Sequence, residues 1–375
     1  MEEHLYTKDF YEWQQEGSRQ SARVTIPLIL DLIQPKSVID VGCGVGTWLS
    51  VFKEFGIQDC LGIDGDYVDQ TMLQIPQSEF LSFDLKKPLQ IDRKFDLVVS
   101  LEVAEHLPIN YAEAFIASLA NLGQVILFSA AIPLQGGSGH VNEQWPEYWA
   151  HIFEKYGYIT IDCLRNKIWN NEKVEPWYAQ NLLIFVEKNC LSRYPLLQKE
   201  LLKTDRSQLS KVHPRTYVGV VSWYQSKLQD TVATALSYTL KLRNINLVIF
   251  PDWTQPENVI FQDLASAIKV IMEHPDKNYI TLLIDTSGID NDDANLVLSG
   301  ITMELFIEDN LDVTDGPEIS LTGELNQIQW QALMRSIYAH IILEHENKQA
   351  IYQAGAENLP SYYIASLSNV QFLQQ

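Results

Sequence analysis

Cysteine is scarce and none of it is paired. Cys43, Cys60, Cys163 and Cys190 are the whole complement, with no C-x-x-C pair among them. That excludes a disulfide scaffold or a thiolate zinc cluster and fits reduced thiols in a cytoplasmic protein. Long apolar runs are also missing. The most apolar stretch, VILFSAAIPL at 125–134, is about half of the ~20 residues a helix needs to span a bilayer. The amino terminus, MEEHLYTKDF, opens on two acids without an apolar h-region, so no secretory signal is expected there. Positive charge is short as well: 27 Lys and Arg stand against 48 Asp and Glu, for a net −21. Nucleic acid and anionic membrane would be repelled, and neither is expected as a partner.

What is present suits a packed protein. Apolar residues make up 46% of the 375, too many for a disordered chain, and the length suggests two domains. From residue 37, short apolar runs alternate with amphipathic segments, the mark of a largely parallel sheet covered by helices. Strands are predicted at 37–42, 60–64, 79–85, 95–101, 124–130, 158–164 and 181–187. Helices are expected near 47–55, 67–73, 110–121 and 145–156, and helical cover carrying Tyr11 and Trp13 over 9–33. The stretch 188–215 then holds seven bases and two acids, Glu200 and Asp205, and reads as a basic linker containing a short helix, able to dock on acidic neighbours. Alternation restarts with strands predicted at 217–223, 246–253, 279–285, 318–323 and 339–345. Helices are expected near 227–242, 257–273, 290–307 and 326–337. The expected division is 1–189, a linker 190–215, and a second α/β domain 216–375.

The segment Val38 to Gly46, VIDVGCGVG, runs from a buried strand into alternating glycines and a helix. Glycine allows a tight turn and close approach of a ligand to the backbone. Asp64 ends the second strand, 18 residues after Gly46, where a carboxylate can accept both hydroxyls of a ribose. Asp84 follows the third, positioned for an adenine amino group. Asp40, before the first glycine, suits a nucleoside bearing an ammonium better than a pyrophosphate. A nicotinamide-type dinucleotide fold is the alternative, but it offers no reason for the run LEVAEHL.

VIDVGCGVGTWL (38–49), GIDGDYVD (62–69), FDLKKPL (83–89) and FDLVVSLEVAEHL (95–107) resemble, in order and spacing, the class I S-adenosylmethionine-dependent methyltransferases. The resemblance covers about 9–188. It implies a Rossmann-like seven-stranded sheet of order 3-2-1-4-5-7-6 with the strand at 181–187 antiparallel, and S-adenosylmethionine as cofactor. By the same likeness Gly42, Cys43, Gly44 and Gly46 border the methionine part, Asp64 and Gly65 the ribose, and Asp84 with Leu85 the adenine. Leu101 and Glu102 close the pocket near the sulfonium.

Methyl transfer to a hydroxyl needs a base, and histidine serves near neutral pH. The candidates are His106 in LEVAEHLP and His140 in LQGGSGHVNEQWPEYW (134–149), on loops at the carboxyl ends of strands. His106 serves either as base or as a loop-holding residue at a helix start. Glu102, Glu105 and His106 form E-x-x-E-H and, with His140, look like the metal site of small-RNA 3′-end 2′-O-methyltransferases. Relatives that use no metal carry the same run, so no metal is assigned. Trp145, Trp149, Trp169, Trp177 and Tyr178 form either an acceptor wall suited to a sugar ring or the packing around the last strands. Residues 216–345 weakly resemble the nucleotide-sugar-binding half of GT-B glycosyltransferases. Yet 273–324 holds 13 acids and one base, Lys277, hostile to a sugar nucleotide. A non-catalytic domain for protein contact or self-association is therefore expected. The expected function is O-methylation of a sugar, glycan precursor or other small hydroxyl acceptor. The alternatives are N-methylation of a protein or small molecule, or a non-catalytic scaffold that binds the cofactor.

Overall fold

A computed structural model describes residues 8–309, 311 and 316–373, with side chains from residue 16 onward. The expectations at Tyr11 and Trp13 lie outside the described side chains. The chain divides into two compact units, 1–222 and 223–375.

In the first unit, helix α1 (Lys8–Ile33) precedes β1 (Ser37–Val41), α2 (Thr47–Glu54), β2 (Asp59–Asp64), β3 (Phe80–Ser82) and β4 (Leu97–Leu101). Then come α3 (Ala112–Leu122), β5 (Val125–Ser129), α4 (Pro146–Lys155), β6 (Tyr158–Ile161), α5 (Arg165–Ile168), α6 (Pro176–Asn181), β7 (Leu183–Glu187) and α7 (Pro195–Leu201). The sheet has the order β3-β2-β1-β4-β5-β7-β6, with only β7 antiparallel to its neighbours. This is the expected methyltransferase order. Its strands are apolar on both faces because both are covered. Val38, Leu97, Val99 and Val125 point into one core, and Ile39, Val98, Ile126 and Phe128 into the other. Period-2 alternation thus makes two cores from one sheet.

The basic stretch 190–215 is not a free linker. Leu197, Leu209 and His213 are buried, and the segment packs back onto the first unit. Its charges dock on that unit's acids: Lys211 Nζ lies 2.9 Å from Asp162 and Arg206 3.3 Å from Glu154. Arg165, fully buried, pins it. The guanidinium forks onto Asp162 at 2.9 and 2.7 Å and donates to the carbonyls of Gln180 (3.0 Å) and Leu209 (2.7 Å).

The strand expected at 217–223 is a helix. Residues 214–239 form one helix, α8 (Pro214–Thr239). Pro214 occupies the first turn, where its missing N–H costs nothing and its fixed φ favours helix. No further proline follows before Thr239, the single Gly219 is tolerated, and Tyr217, Val218 and Trp223 stay exposed. The apolar, β-branched run imitates a strand. The second sheet instead comprises β8 (Ile245–Ile249), β9 (Ile280–Ile284), β10 (Glu318–Leu321), β11 (Ala339–Ile342) and an unforeseen β12 (Ser361–Tyr363), all parallel, in the order β10-β9-β8-β11-β12. Around it lie α9 (Glu257–Met272), α10 (Asn291–Ile307), α11 (Gln327–Met334), α12 (Lys348–Ala354) and α13 (Ile364–Leu367). It is a second, smaller α/β unit. Among the described residues no helix is long and apolar enough to cross a membrane.

Candidate active site

The carboxyl ends of β1, β2, β4 and β5 converge on one edge of the first sheet. After β1 the backbone turns through Gly42, Gly44 and Gly46, all at positive φ. At Gly42 (φ +88) a Cβ would stand 2.3 Å from Val103 Cγ2, whereas one on Gly44 would meet nothing within 4 Å. Gly42 is therefore demanded by packing, and Gly44 presents bare backbone to open space. This is the cradle a cofactor needs. Cys43 is buried beside it, and burial pushes its thiol well above the usual range. That suits a packing role over a nucleophilic one.

Asp64 and Gly65 close the far side. Asp64 Oδ2 accepts from Gly44 N at 2.7 Å, and Oδ1 accepts from Gly65 N at 2.7 Å and from the Tyr67 hydroxyl. Burial raises its pKa against those donors. Asp40 lies inside β1, buried; desolvation, and then the charge of Asp64, push its carboxyl up to about 8. Asp84 is exposed just beyond β3, with Oδ1 accepting from Lys86 N at 3.0 Å, while Leu85 is half-buried.

After β4, Leu101 is buried and Glu102 takes a left-handed φ of +54, a conformation a non-glycine residue adopts at a cost. Two bonds hold it: Glu102 N donates to the carbonyl and to the hydroxyl of Ser129. Its carboxylate accepts from Gln135 Nε2 at 2.9 Å and Asn181 Nδ2 at 3.1 Å. Gln180 Nε2 donates to Gln135 Oε1 at 2.9 Å. Gln135, Gln180 and Asn181 were not anticipated. The sole sequence hint was the polar pair Gln180-Asn181 entering a strand with no exposed edge.

The two histidines meet. Their rings lie 4.8 Å apart, edge to face. His140 Nδ1 sits 2.8 Å from Glu143 Oε1, and the Glu143 carboxylate also accepts from the amides of Leu134 (2.7 Å) and Gly136 (2.8 Å). One side chain therefore ties the glycine loop together and orients the imidazole. A Cβ on Gly137 would lie 2.3 Å from His140 Nε2, so the imidazole packs against residue 137 because it is glycine. Burial, then the neighbouring His140, lower His106 to about 4; it is neutral at pH 7 and a poor proton acceptor. Glu105 is fully buried, with no side-chain hydrogen-bond partner on either carboxylate oxygen, and burial, then the charge of Glu102, push its pKa well up. Glu105, His106 and His140 each offer a ligand atom within 4.8 Å of the others, so the trio has the donors for a divalent cation.

The aromatic residues separate. Trp149 is buried against Phe128 and Trp169 packs on His213, which makes both packing residues. Tyr178 is buried too, 5.2 Å from Trp48. Only Trp145 is an exposed tryptophan of this group.

Sheet order and glycine edge together define a class I methyltransferase fold. Residues 8–171 match the family model described as a methyltransferase domain, which together with the sheet order supports an S-adenosylmethionine-dependent methyltransferase activity for this part of the chain. Norajmaline N-methyltransferase of Rauvolfia serpentina is 39% identical over 83 residues, 20% of this chain. The match spans 28% of that relative's length. Among solved structures, the methyltransferase domain of the bacterial protein CtHen1-C is 21% identical, over 44% of this chain and 97% of its own, with a TM-score of 0.35. Magnesium protoporphyrin IX methyltransferase from Synechocystis PCC 6803, solved with bound S-adenosylmethionine, is 23% identical over 46% of this chain and 80% of its own, with a TM-score of 0.35.

Proposed function

We propose that the first unit transfers a methyl group from S-adenosylmethionine to a hydroxyl of a small acceptor, with a sugar or glycan precursor as the favoured class. When bound, the cofactor supplies a methyl on a sulfonium that leaves as a neutral thioether, so the protein needs no acid for the leaving group. It must align the acceptor and take its proton. The observation carrying this reading is His140. With Nδ1–H donating to Glu143, Nε2 is the ring's acceptor nitrogen, beside Gly137, the arrangement of a carboxylate-oriented base. His106, edge-on to that ring, restricts its orientation. The cofactor is held by the backbone of Gly44 and by Asp64, with Asp40 beneath.

The acceptor class rests on the base and the exposed Trp145. N-methylation is the second reading, favoured by the name of the curated relative and by the Glu102 carboxylate, which could receive an amine. A divalent cation on Glu105, His106 and His140 is a variant of the first reading, motivated by the unpartnered Glu105 oxygens; loss of turnover to a chelator would establish it. The second unit is read as non-catalytic, serving protein contact or self-association, and the protein as cytoplasmic.

Radiolabelled S-adenosylmethionine offered with panels of polyhydroxyl and amine acceptors tests the assignment. The hydroxyl panel should be labelled. His140→Ala should abolish labelling while binding of S-adenosylhomocysteine is retained. Full activity of His140→Ala would remove the base, and labelling of amines alone would favour the second reading.

A further inference from the structure

Glu102 stands where a charge would matter. It follows β4, and the next residue, Val103, packs on the glycine turn so closely that Gly42 has no room for a Cβ. It also lies within electrostatic reach of His140. Its position therefore joins the cofactor cradle to the proposed base.

The amides around it all point their hydrogens one way. At the far end, the backbone N–H of His213 donates to Gln180 Oε1 at 2.8 Å. A backbone donor needs the oxygen, so the other arm of that amide is its NH2. Gln180, fully buried, donates from Nε2 to Gln135 Oε1 at 2.9 Å and to Asn181 Oδ1 at 3.0 Å. Gln135 Oε1 also accepts from Asn181 Nδ2 at 2.9 Å and from the Ile132 amide at 3.3 Å, so three donors fix it as the oxygen. Both amides are left with their nitrogens toward Glu102, Gln135 Nε2 at 2.9 Å and Asn181 Nδ2 at 3.1 Å. Neither can turn over without setting oxygen against oxygen. Burial raises the Glu102 carboxyl, and the bonds from Ser129, Asn181 and Gln135 work against it, because donors to the charged form favour that form.

We propose that Gln135, Gln180 and Asn181 are positioning residues, a directional amide relay that holds Glu102 as a fixed anion for a cationic cofactor. Gln135 and Asn181 act by contact with Glu102, and Gln180 by setting the orientation of both. This rests on the methyltransferase reading of the site. The anion contributes affinity for the sulfonium that it does not contribute for the neutral thioether left after transfer.

The ratio of affinities for S-adenosylmethionine and S-adenosylhomocysteine isolates that charge, because a general loosening of the site weakens both alike. Calorimetry on the full chain near neutral pH measures it. Gln135→Met removes one donor to Glu102, from a half-buried loop position whose replacement spares the core. It should shift the ratio against S-adenosylmethionine by at least about threefold. Gln180→Met, at a residue that does not touch Glu102, should shift it in the same direction. In a Glu102→Gln background neither substitution should shift it further, as residues acting through one carboxylate require. An unchanged ratio in either single variant would overturn the relay, as would a further shift in the Glu102→Gln background. If the unmodified protein binds neither ligand at tens of micromolar, the methyltransferase reading itself fails, a result distinct from an unaltered ratio.

Discussion

Replacing Asp40 with Asn should stabilise the first unit, and by more as the pH rises. Asp40 lies within a strand covered on both faces, and its carboxyl is pushed from its usual 3.8 to about 8, first by burial and then by Asp64. The folded state therefore holds a proton that the unfolded chain has lost over that interval, so stability falls as pH rises from about 4 and levels off above about 8. At ~1.4 kcal/mol per pH unit, the stretch from pH 5 to pH 8 costs the folded state about 4 kcal/mol through this one group. An amide of the same shape has no proton to lose. Urea unfolding at pH 5, 6.5 and 8 measures this through tryptophan fluorescence. Six of the nine tryptophans lie at or before position 177 and so report on the first unit. The gap between Asp40→Asn and the parent should widen by about 4 kcal/mol across the range. Buried acids that do not interact with Asp40 titrate in both proteins and cancel in the comparison; Asp64, which does interact with it, is the neighbour whose titration changes. A gap that stays constant within about 1 kcal/mol would show that Asp40 is ionised throughout, and the account of its environment would be wrong.

Asp64→Ala should weaken S-adenosylhomocysteine binding by about 1–3 kcal/mol in calorimetry; unchanged affinity would detach Asp64 from the ribose. Arg165→Met leaves Asp162 without its fork and the carbonyls of Gln180 and Leu209 without a donor. It should lower stability by roughly 3–5 kcal/mol and open the 203–213 segment to proteolysis, and a resistant, fully stable variant would contradict that pinning role. Binding of S-adenosylmethionine near pH 7 should release protons, because a cationic ligand beside Asp40 favours its ionised form. Calorimetry in buffers of different ionisation heat reads this directly, and identical heats in all buffers would place the ligand's charge elsewhere.

The first unit was legible because its signals are local. Strand runs buried on both faces, the glycines at 42, 44 and 46, and an acid at each strand end sit at fixed spacing, and the sheet order follows from the family resemblance those motifs carry. The failures share a physical cause. Tyr217 to Trp223 has strand composition, yet Pro214 starts a helix and no sheet edge competes for the run, so local start chemistry prevailed over β-propensity. The basic stretch 190–215 reads as linker by charge, but Leu197 and Leu209 within it are buried while Leu196, Leu202 and Val212 stay exposed, and a buried arginine 25 residues upstream of the segment, at 165, holds it. β12 was missed because Ser361–Tyr363 is three residues long. α12 before it is bounded by the Asn347 cap, whose Oδ1 accepts from Ala350 N at 3.0 Å, and by the left-handed Gly355. Within the site, Asp64 and the histidine pair could be anticipated. The Gln135–Glu102–Asn181 network could not, because it joins residues 46 and 79 positions apart.

Charge gives the site its logic. Four carboxylates, Asp40, Asp64, Glu102 and Glu105, gather at the carboxyl edge of one sheet, and among the described residues none of them meets a lysine or arginine. Burial raises the pKa of all four. A protein whose only task there was stability would gain by replacing such groups with apolar ones, since an unpaired buried acid is among the costliest features of a fold. Asp64 and Glu102 are partly offset by amides and hydroxyls, whereas Asp40 stays largely protonated at pH 7 and burial pushes Glu105 in the same direction. That pairing of two satisfied acids with two held in reserve suits a ligand that brings positive charge. A sulfonium and an ammonium on one cofactor would let the reserve acids ionise, so that part of the cost of their burial returns as binding energy. The net −21 of the chain thus divides into two parts: a solvated surface excess, and a small buried set whose expense makes sense when a cation completes it.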